Sequence, residues 1–405
     1  MEIEFSVVVP TKNRHYYLKY LVDYFKLIDS NKIELIIYDN SEYNLRQEFV
    51  LFLETINDSR IKYYEDDREL SQTGNCNIAV SKASGEYITL LGDDDIFSKY
   101  ILDYIENWKR DGVEAILPNK GVYSWPDVQH RMYKDKLSGV YRNTNFSGIV
   151  RKVKTMPILQ KVIKLGGTKM INLPRVYHGI VKRSILEKIF IETGTYFPGP
   201  SPDIANAVAL CKYLTFFITI DIPLVISGVS VSSAAGHGAK GTHYGEISKV
   251  KQLPKNTATN WSQEVPFFWS GETIYAESVI QSLKKTGMSH LLQKFNFEYL
   301  YAMCFVYASN YKSEIKHTIK NQKFNHSYFK RIKTIYYFVS IWVNRFTFHL
   351  RNNVILLLPN YFQKKHTIST MQNILEVAII NDKRIEQKKV NENLILDRDM
   401  GFPPK

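Results

Sequence analysis

The sequence predicts an α/β protein: a parallel sheet covered by helices in the first half, then a mostly helical, basic C-terminal region. Three observations carry this expectation. Within residues 1–118, short β-branched runs alternate with helical patterns, the signature of successive strand–helix units. From about residue 270 onward the pattern is helical, with long apolar-aromatic stretches. The charge divides in the same way: residues 1–120 carry 14 basic and 22 acidic side chains, and the remainder 39 basic against 18 acidic, within a net charge of +13. Two oppositely charged halves suggest two jobs.

The elements follow in order. Phe5 to Val9 is a first strand, ended by Pro10, and Ile33 to Tyr38 a second. Ile61 to Tyr64 and Tyr87 to Leu91 are a third and fourth, and Val113 to Leu117 a fifth. Helical patterns run over Tyr17–Ile28, Arg46–Ile56, Gly74–Ser84 and Tyr100–Trp108. Residues 121–175 are aromatic and basic without a clean period. Arg183–Ile191 and Ile204–Leu214 read as helices, and Phe216–Ile226 as a strand interrupted by Pro223. Residues 232–262, dense in Gly, Ser, Lys, His and Asn, read as loop or linker.

Composition excludes several classes. With 44% hydrophobic and 23% charged residues over 405 positions, the chain is globular rather than disordered. Cys76, Cys211 and Cys304 lie too far apart for a disulfide scaffold or a Cys-based zinc site, and they fit a reducing compartment. Met1-Glu2-Ile3-Glu4 is acidic where an export signal is basic. No apolar run reaches the ~18 residues that span a bilayer.

The strand ends carry the chemistry. Gly92-Asp93-Asp94-Asp95 follows the fourth strand directly. Three adjacent carboxylates repel one another, and gathering them at a strand end calls for a cation, such as Mg2+ or Mn2+, that takes oxygen ligands and bridges to phosphate. The other reading is a solvated acidic turn suited to a helix dipole. Asp39, ending the second strand, can accept from the N–H of a base ring or form an Asx turn. Ser71-Gln72-Thr73-Gly74-Asn75-Cys76-Asn77 opens a helix whose N-terminus could approach a phosphate. Ligands of parallel sheets bind at such carboxyl edges, and these ends together describe a nucleotide-and-metal site.

The same residues resemble the family 2 glycosyltransferases, which have the GT-A fold, a Rossmann-like nucleotide-sugar-binding domain. The matching pieces are Val7-Val8-Val9-Pro10-Thr11-Lys12-Asn13-Arg14, Ile37-Tyr38-Asp39-Asn40-Ser41, Gly74-Asn75-Cys76-Asn77-Ile78-Ala79, Ala83-Ser84-Gly85-Glu86-Tyr87-Ile88 and Leu90-Leu91-Gly92-Asp93-Asp94-Asp95. The likeness is strong over residues 4–118, weaker over 170–235 and absent after about 250. It implies an inverting transfer from a nucleotide sugar, a UDP-sugar being favoured, with a divalent metal, Mn2+ or Mg2+. It implies donor contacts from Pro10, Thr11, Asn13, Arg14, Asp39, Gly74, Asn77 and Asp93. Asp94 matches the last Asp of the family's Asp-X-Asp metal motif, with Asp95 and a late His, His243, as further metal ligands. Gly92 stands where the first Asp of that motif usually is, so either Asp93 or Asp95 assists the metal, or one ligand is lost.

An inverting transfer also needs a base. Phe197-Pro198-Gly199-Pro200-Ser201-Pro202-Asp203-Ile204 resembles the family's catalytic-carboxylate region, and Asp203 is either that base or a helix cap. His178 is an acceptor-site residue or an ordinary core or surface histidine. His237, Lys240 and His243 lie in a Gly-rich segment that is either a mobile lid over the donor or an exposed loop. Residues 310–366 carry 11 Lys or Arg and one acid, Glu314, interleaved with aromatics. This composition fits a helix in an anionic membrane interface or a packed helical bundle serving as a contact between copies in a homo-oligomer; no nucleic-acid motif accompanies it.

The expected organisation is a transferase domain over 1–245, divided into a nucleotide/metal half (1–118) and an acceptor half (119–245), then a linker over 246–269 and a helical region over 270–405. The expected function is sugar transfer to a glycan hydroxyl, the favoured acceptor being a lipid-linked intermediate of bacterial surface-polysaccharide synthesis, on the cytoplasmic face of the cell membrane. The alternative is a non-catalytic membrane-surface-binding protein with a degenerate transferase fold.

Overall fold

Val7, Val8 and Val9, with Leu35, Ile36 and Ile37, are wholly buried, as strands covered on both faces must be. The computed structural model describes residues 2–128, 137–142, 145–233, 236, 244–321, 328–356, 367–368 and 370–392. It opens with β1 (Phe5–Thr11), α1 (His15–Phe25), β2 (Ile33–Asp39), α2 (Tyr43–Ile56), β3 (Ile61–Glu65), α3 (Gln72–Ser81) and β4 (Tyr87–Leu90). Strands β2 and β4 flank β1 in parallel, and β3 pairs parallel to β2. Thr11 lies opposite Asp39 and Val8 opposite Leu90, so three chain segments leave the sheet side by side at one edge. Helix α1 buries Leu18, Leu21, Val22 and Phe25 at helical spacing against this sheet.

The chain continues through β5 (Ile96–Phe97), α4 (Ile101–Arg110), β6 (Ala115–Ser124), β7 (Tyr141–Arg142), β8 (Val150–Lys154), α5 (Thr155–Lys164), β9 (Ile180–Lys182), α6 (Arg183–Thr193), α7 (Pro202–Tyr213) and β10 (Phe216–Val229). Strand β9 runs antiparallel to both β4 and β6 and joins the two parts of the sheet. Strand β10 is parallel to β6, and its register shifts around Pro223, which has no N–H to give the ladder. Ile226 pairs with Ile96, which brings the end of β10 against the chain just after Asp95.

The last part comprises β11 (Tyr244–Gly245), β12 (Trp269–Ser270), α8 (Gly271–Lys285), α9 (Phe297–Tyr307), α10 (Lys312–Asn321), α11 (Tyr328–Leu356), β13 (Thr367–Ile368) and α12 (Ile374–Glu392). Residues 246–269, expected to be a linker, pack instead. Trp261, Val265 and Phe268 are buried in a second core together with Leu159 of α5, Val208 of α7, Val279 of α8 and Leu300 of α9. The buried Glu277 carboxylate fixes this segment by accepting from the Ser262 N–H and hydroxyl at 3.0 and 3.2 Å. The expected division after residue 245 is likewise not a packing boundary, because α5 and α7 share this core with α8–α10.

Helix α12 returns to the first core through Ile374, Val377, Ala378 and Ile385. Its Asp382 carboxylate accepts from the hydroxyls of Tyr24 and Ser98, and its Asn381 amide donates to the Pro223 carbonyl at 2.8 Å. Among the described residues, no helix is long and apolar enough to cross a membrane.

Candidate active site

At the carboxyl edge of β1, β2 and β4, short loops are tied to one another. The Asn40 N–H donates to the Thr11 carbonyl at 3.0 Å, the Asn13 N–H to the Ser41 hydroxyl at 2.6 Å, and the Glu42 N–H to the Asn13 amide oxygen at 2.9 Å. Asn13 adopts a left-handed φ of 59°, a conformation asparagine accepts more readily than most residues.

The chain leaving β4 turns tightly at Gly92. A Cβ there would meet Asp95 Oδ2 at 2.9 Å and Asp94 Oδ1 at 3.1 Å, so the two carboxylates fill the space a side chain would need. A side chain at this position would have to displace one of these carboxylates. Asp93, Asp94 and Asp95 are 3%, 3% and 1% exposed. Asp93 and Asp94 share one partner and each has one of its own. Thr11 Oγ1 donates to Asp93 at 2.8 Å, Ser230 Oγ donates to Asp94 at 2.5 Å, and the Arg14 guanidinium bridges both carboxylates at 2.9 and 2.7 Å. Arg14 is itself held over the Tyr17 ring, 5.3 Å from its centroid.

Asp95 points inward. It accepts from the N–H groups of Gly92 and Gly228 at 2.7 and 2.8 Å, from Tyr177 Oη at 3.1 Å, and pairs with His178 Nε2 at 2.6 Å. Its expected role as a metal ligand is therefore replaced by an anchoring one, since both oxygens are engaged within the protein. His178 changes role with it. It is 3% exposed, adopts a left-handed φ of 60° and faces Asp95, so it supports the acidic turn instead of lining an acceptor site. Burial, opposed by Asp95, holds the imidazole below its ordinary value.

Electrostatics set the three acids apart. Burial, opposed by Arg14 and reinforced by the neighbouring carboxylates, raises Asp93 to about 7 and Asp94 to about 6. Burial also acts on Asp95, but His178 and the two backbone N–H groups outweigh it and hold that carboxyl low. Asp93 and Asp94 are thus two buried carboxylates sharing one guanidinium, with charge left to neutralise.

Asp39 is wholly buried at the end of β2. It takes Tyr63 Oη at 2.8 Å, the Ser41 N–H at 2.9 Å and His15 Nε2 at 2.6 Å, and the His15 ring is stacked on Phe49. Burial raises its pKa, and these three partners together reverse the shift and keep it below the ordinary value.

Two N–H groups at the N-terminus of α3 are taken by the protein. The Gly74 N–H donates to the Ser71 hydroxyl at 3.0 Å and the Gln72 N–H to the Gln252 carbonyl at 2.8 Å, which leaves the phosphate reading of Gly74 without its donors. Asn77 is likewise committed: its amide oxygen accepts from Thr195 Oγ1 at 2.9 Å and the Tyr196 N–H at 2.8 Å, bracing the approach to the next loop. Pro10 is half-buried at the end of β1.

That loop ends at Asp203, at the start of α7. Its carboxylate accepts from Ser201 Oγ at 2.6 Å and from Tyr275 Oη of α8 at 2.8 Å. Two cations that the sequence patterns did not single out lie in its electrostatic reach. Burial and then Arg175 lower Lys120, with Asp95 and Asp203 acting against them; burial lowers Arg175, with Asp203 opposing. Ser230, Gly228 and Tyr275 were also missed. Each reaches the site from a distant segment, and only pairing of β10 with β5 and β6, or the packing of α8 on α7, brings them there.

Among the described residues, no three His, Cys, Asp or Glu side chains form a ready metal cage. His237, Lys240 and His243 lie outside the described residues.

The buried acidic turn lies beside Asp39 at the carboxyl edge of the parallel strands β1, β2 and β4, where α/β sheets bind their ligands. Residues 6–196 match the family model described as Glycosyl transferase family 2. Over that span the chain belongs to the family 2 glycosyltransferases, and the expected GT-A class of fold goes with it. The chain is 33% identical over 115 residues to the GalNAc(5)-diNAcBac-PP-undecaprenol beta-1,3-glucosyltransferase of Campylobacter jejuni, matching 28% of this chain and 37% of that protein. Its match therefore spans well under half the length of that relative. Among solved structures, Staphylococcus aureus TarS 1–349 in complex with UDP-GlcNAc is 14% identical, with a TM-score of 0.43 over 85% of this chain and 92% of that one. The mannosyltransferase PcManGT of Pyrobaculum calidifontis, in complex with GDP-Man and Mn2+, is 14% identical, with a TM-score of 0.41 over 95% of this chain and 88% of that one.

Proposed function

We propose that the chain is an inverting glycosyltransferase that moves a sugar from a nucleotide sugar, with a UDP-sugar favoured, to a hydroxyl of a glycan acceptor. The single observation that supports this most is the pair Asp93 and Asp94, buried and sharing Arg14 at the edge where parallel strands end. Their unneutralised charge fits a divalent cation, because ions of the Mg2+ and Mn2+ type need only one or two protein carboxylates when substrate phosphates complete their shell. Asp94 would hold the ion with Asp93 beside it. Bound there, Mn2+ or Mg2+ would offset negative charge on the leaving diphosphate.

The chain's own residues would do the rest. Arg14 carries positive charge to the diphosphate side of the site, and Asp39 anchors the β2 end where the base would lie. Asp203, oriented by Ser201 and Tyr275, would take the proton of the acceptor hydroxyl. That oxygen would bond to the anomeric carbon from the face opposite the diphosphate, the carbon–oxygen bond to the diphosphate would break, and the configuration would invert. The acceptor class we favour is a lipid-linked glycan intermediate of bacterial surface-polysaccharide synthesis, supported by the Campylobacter relative, whose name specifies an undecaprenol diphosphate glycan.

The test is nucleotide-sugar hydrolysis without acceptor, with and without Mn2+, alongside a thermal-shift screen of UDP- and GDP-sugars. A ligand that binds only the folded state raises the melting temperature. Metal-dependent release of nucleotide from one donor is expected. No turnover and no shift with any donor would favour the binding-protein alternative.

A further inference from the structure

Helix α11 is inside out. Over residues 328–350 it presents its more polar stripe to the protein and most of its apolar residues to the exterior. Toward the protein, Ile341 packs on Ala302, Met303 and Val306 of α9, and Tyr337 Oη accepts from Asn296 at 3.1 Å. Arg345 donates to the Val306 carbonyl at 2.7 Å and lies over the Tyr307 ring. Outward stand Phe329, Ile332, Tyr336, Trp342, Phe346 and Leu350, spaced three, four or six residues apart along the helix. Phe329 is 81% exposed, and Trp342 and Phe346 stack on each other at 5.5 Å while each remains about half exposed. A soluble face rarely leaves such a run uncovered.

Charge identifies the cover. Residues 328–356 contain Lys330, Arg331, Lys333, Arg345 and Arg351 and no acid. Arg345 is turned to α9 and Lys333 pairs with Glu298 at 3.2 Å; in a symmetric pair of copies the same face meets itself, which would set Lys330 and Arg331 against their counterparts. An anionic lipid surface satisfies both properties at once, since headgroups neutralise Lys and Arg while Trp and Phe enter the acyl boundary. Five cations along its length keep the helix in the interface plane and prevent it from crossing.

We propose that α11 docks this chain on an anionic bilayer, lying in the interface with Trp342 and Phe346 inserted. This inference does not depend on the reaction proposed above. Fluorescence tests it in the unmodified full chain. Trp108, Trp125, Trp261 and Trp269 are at most 9% exposed, so external quenching by acrylamide reports chiefly on Trp342. Vesicles of phosphatidylcholine with phosphatidylglycerol should shift the emission to the blue and protect it from acrylamide, and pure phosphatidylcholine vesicles should do so weakly. In co-sedimentation, K330Q and R331Q should each weaken partitioning about fivefold at low salt. The double variant W342S/F346S should weaken it by on the order of tenfold at any salt, with an unchanged thermal melt because both side chains are largely exposed. Unaltered Trp emission with anionic vesicles would overturn the proposal. So would a stable dimer in light scattering that W342S/F346S converts to monomer, because a second copy would then cover the face.

Discussion

Gly228 is where the acidic turn can be disturbed without touching a carboxylate. It lies on β10, and its N–H donates to Asp95 Oδ1 at 2.8 Å. A Cβ at this position would stand 1.8 Å from the Asp94 carbonyl oxygen and 2.8 Å from Trp125 Nε1, far inside the ~3.5 Å of an ordinary contact. Neither neighbour is the free end of a flexible chain: one is backbone, and the indole N–H is bonded to that same carbonyl at 3.2 Å. Gly228→Ala must therefore push β10 and the Asp94 backbone apart by more than about an ångström. Overpacking of this kind costs ~1–3 kcal/mol, and losing the bond to a charged Asp95 adds ~1.5–3 kcal/mol. With an unfolding entropy near 2.1 cal/mol/K per residue, a loss of ~2.5–6 kcal/mol lowers the melting temperature by roughly 3–7 °C. A displacement of about 1 Å at the reacting site is worth ~100-fold in rate. The assay is metal-dependent donor turnover together with a thermal melt, with Gly245→Ala as control, because a Cβ there meets only Trp269, at 3.9 Å. If Gly228→Ala matched the parent in both measurements, the idea that this close approach fixes the acidic turn would fail.

Asp94→Asn should remove most metal-dependent turnover with the melt unchanged and Asp93→Asn should remove less, whereas Asp95→Asn should lower the melting temperature, since Asp95 serves four partners; full metal-dependent turnover in Asp94→Asn would refute the assignment. Asp203→Asn should lower kcat by ~10²–10⁴-fold with donor affinity little changed, and a collapse of donor affinity would place Asp203 in the donor site instead. Tyr275→Phe, which removes the O–H given to Asp203, should lower kcat by a smaller factor at an unchanged melting temperature. Burial, opposed by Ser98 and Tyr24, holds Asp382 above the ordinary carboxylate value, so the folded state binds its proton more tightly than the unfolded chain. That contribution to stability is full below about pH 4 and fades as pH rises through the folded value. Asp382→Asn should flatten this part of the melting-temperature profile, and Asp382→Ala should cost ~1–3 kcal/mol by leaving the two hydroxyls unpaired.

The first four strands and the acidic turn were legible because their information is local. Val7–Val9 and Leu35–Ile37 are continuous apolar runs, and three carboxylates in a row announce themselves whatever surrounds them. The direction in which each carboxylate points was not legible. Asp95 turns inward because Gly228, Tyr177 and His178, from two remote segments, supply its donors, and a string of residues does not show that His178 will sit at positive φ beneath it. Gly92 left open whether a ligand is lost, because a motif is read by residue type and does not show that the Asp94 and Asp95 carboxylates stand in the space a side chain there would need. The segment 246–269 looked like a linker because Gly, Ser, Lys and Asn dominate its neighbourhood, and three large residues, Trp261, Val265 and Phe268, outweighed that composition once α8 was there to receive them.

The family match ends at residue 196, yet the carboxylate proposed as base and the hydroxyl that orients it, Asp203 and Tyr275, both come afterwards. Strands β1, β2 and β4 present the proposed donor side from one core, and α7 with α8 presents Asp203 from the other, with Thr73 of α3 hydrogen-bonded at 3.0 Å to the Pro200 carbonyl across the junction. Helices in the second core therefore act on the site through backbone position, and α12 does so from the first core through Asn381 and Asp382, which hold β10 and the residues after Asp95. On this view the acidic and basic halves are not separate modules. Asp93 and Asp94 lie where β4 ends, α11 packs on α9, and α9 shares the second core with α7, which carries Asp203, so a bilayer under α11 would orient the proposed site as well.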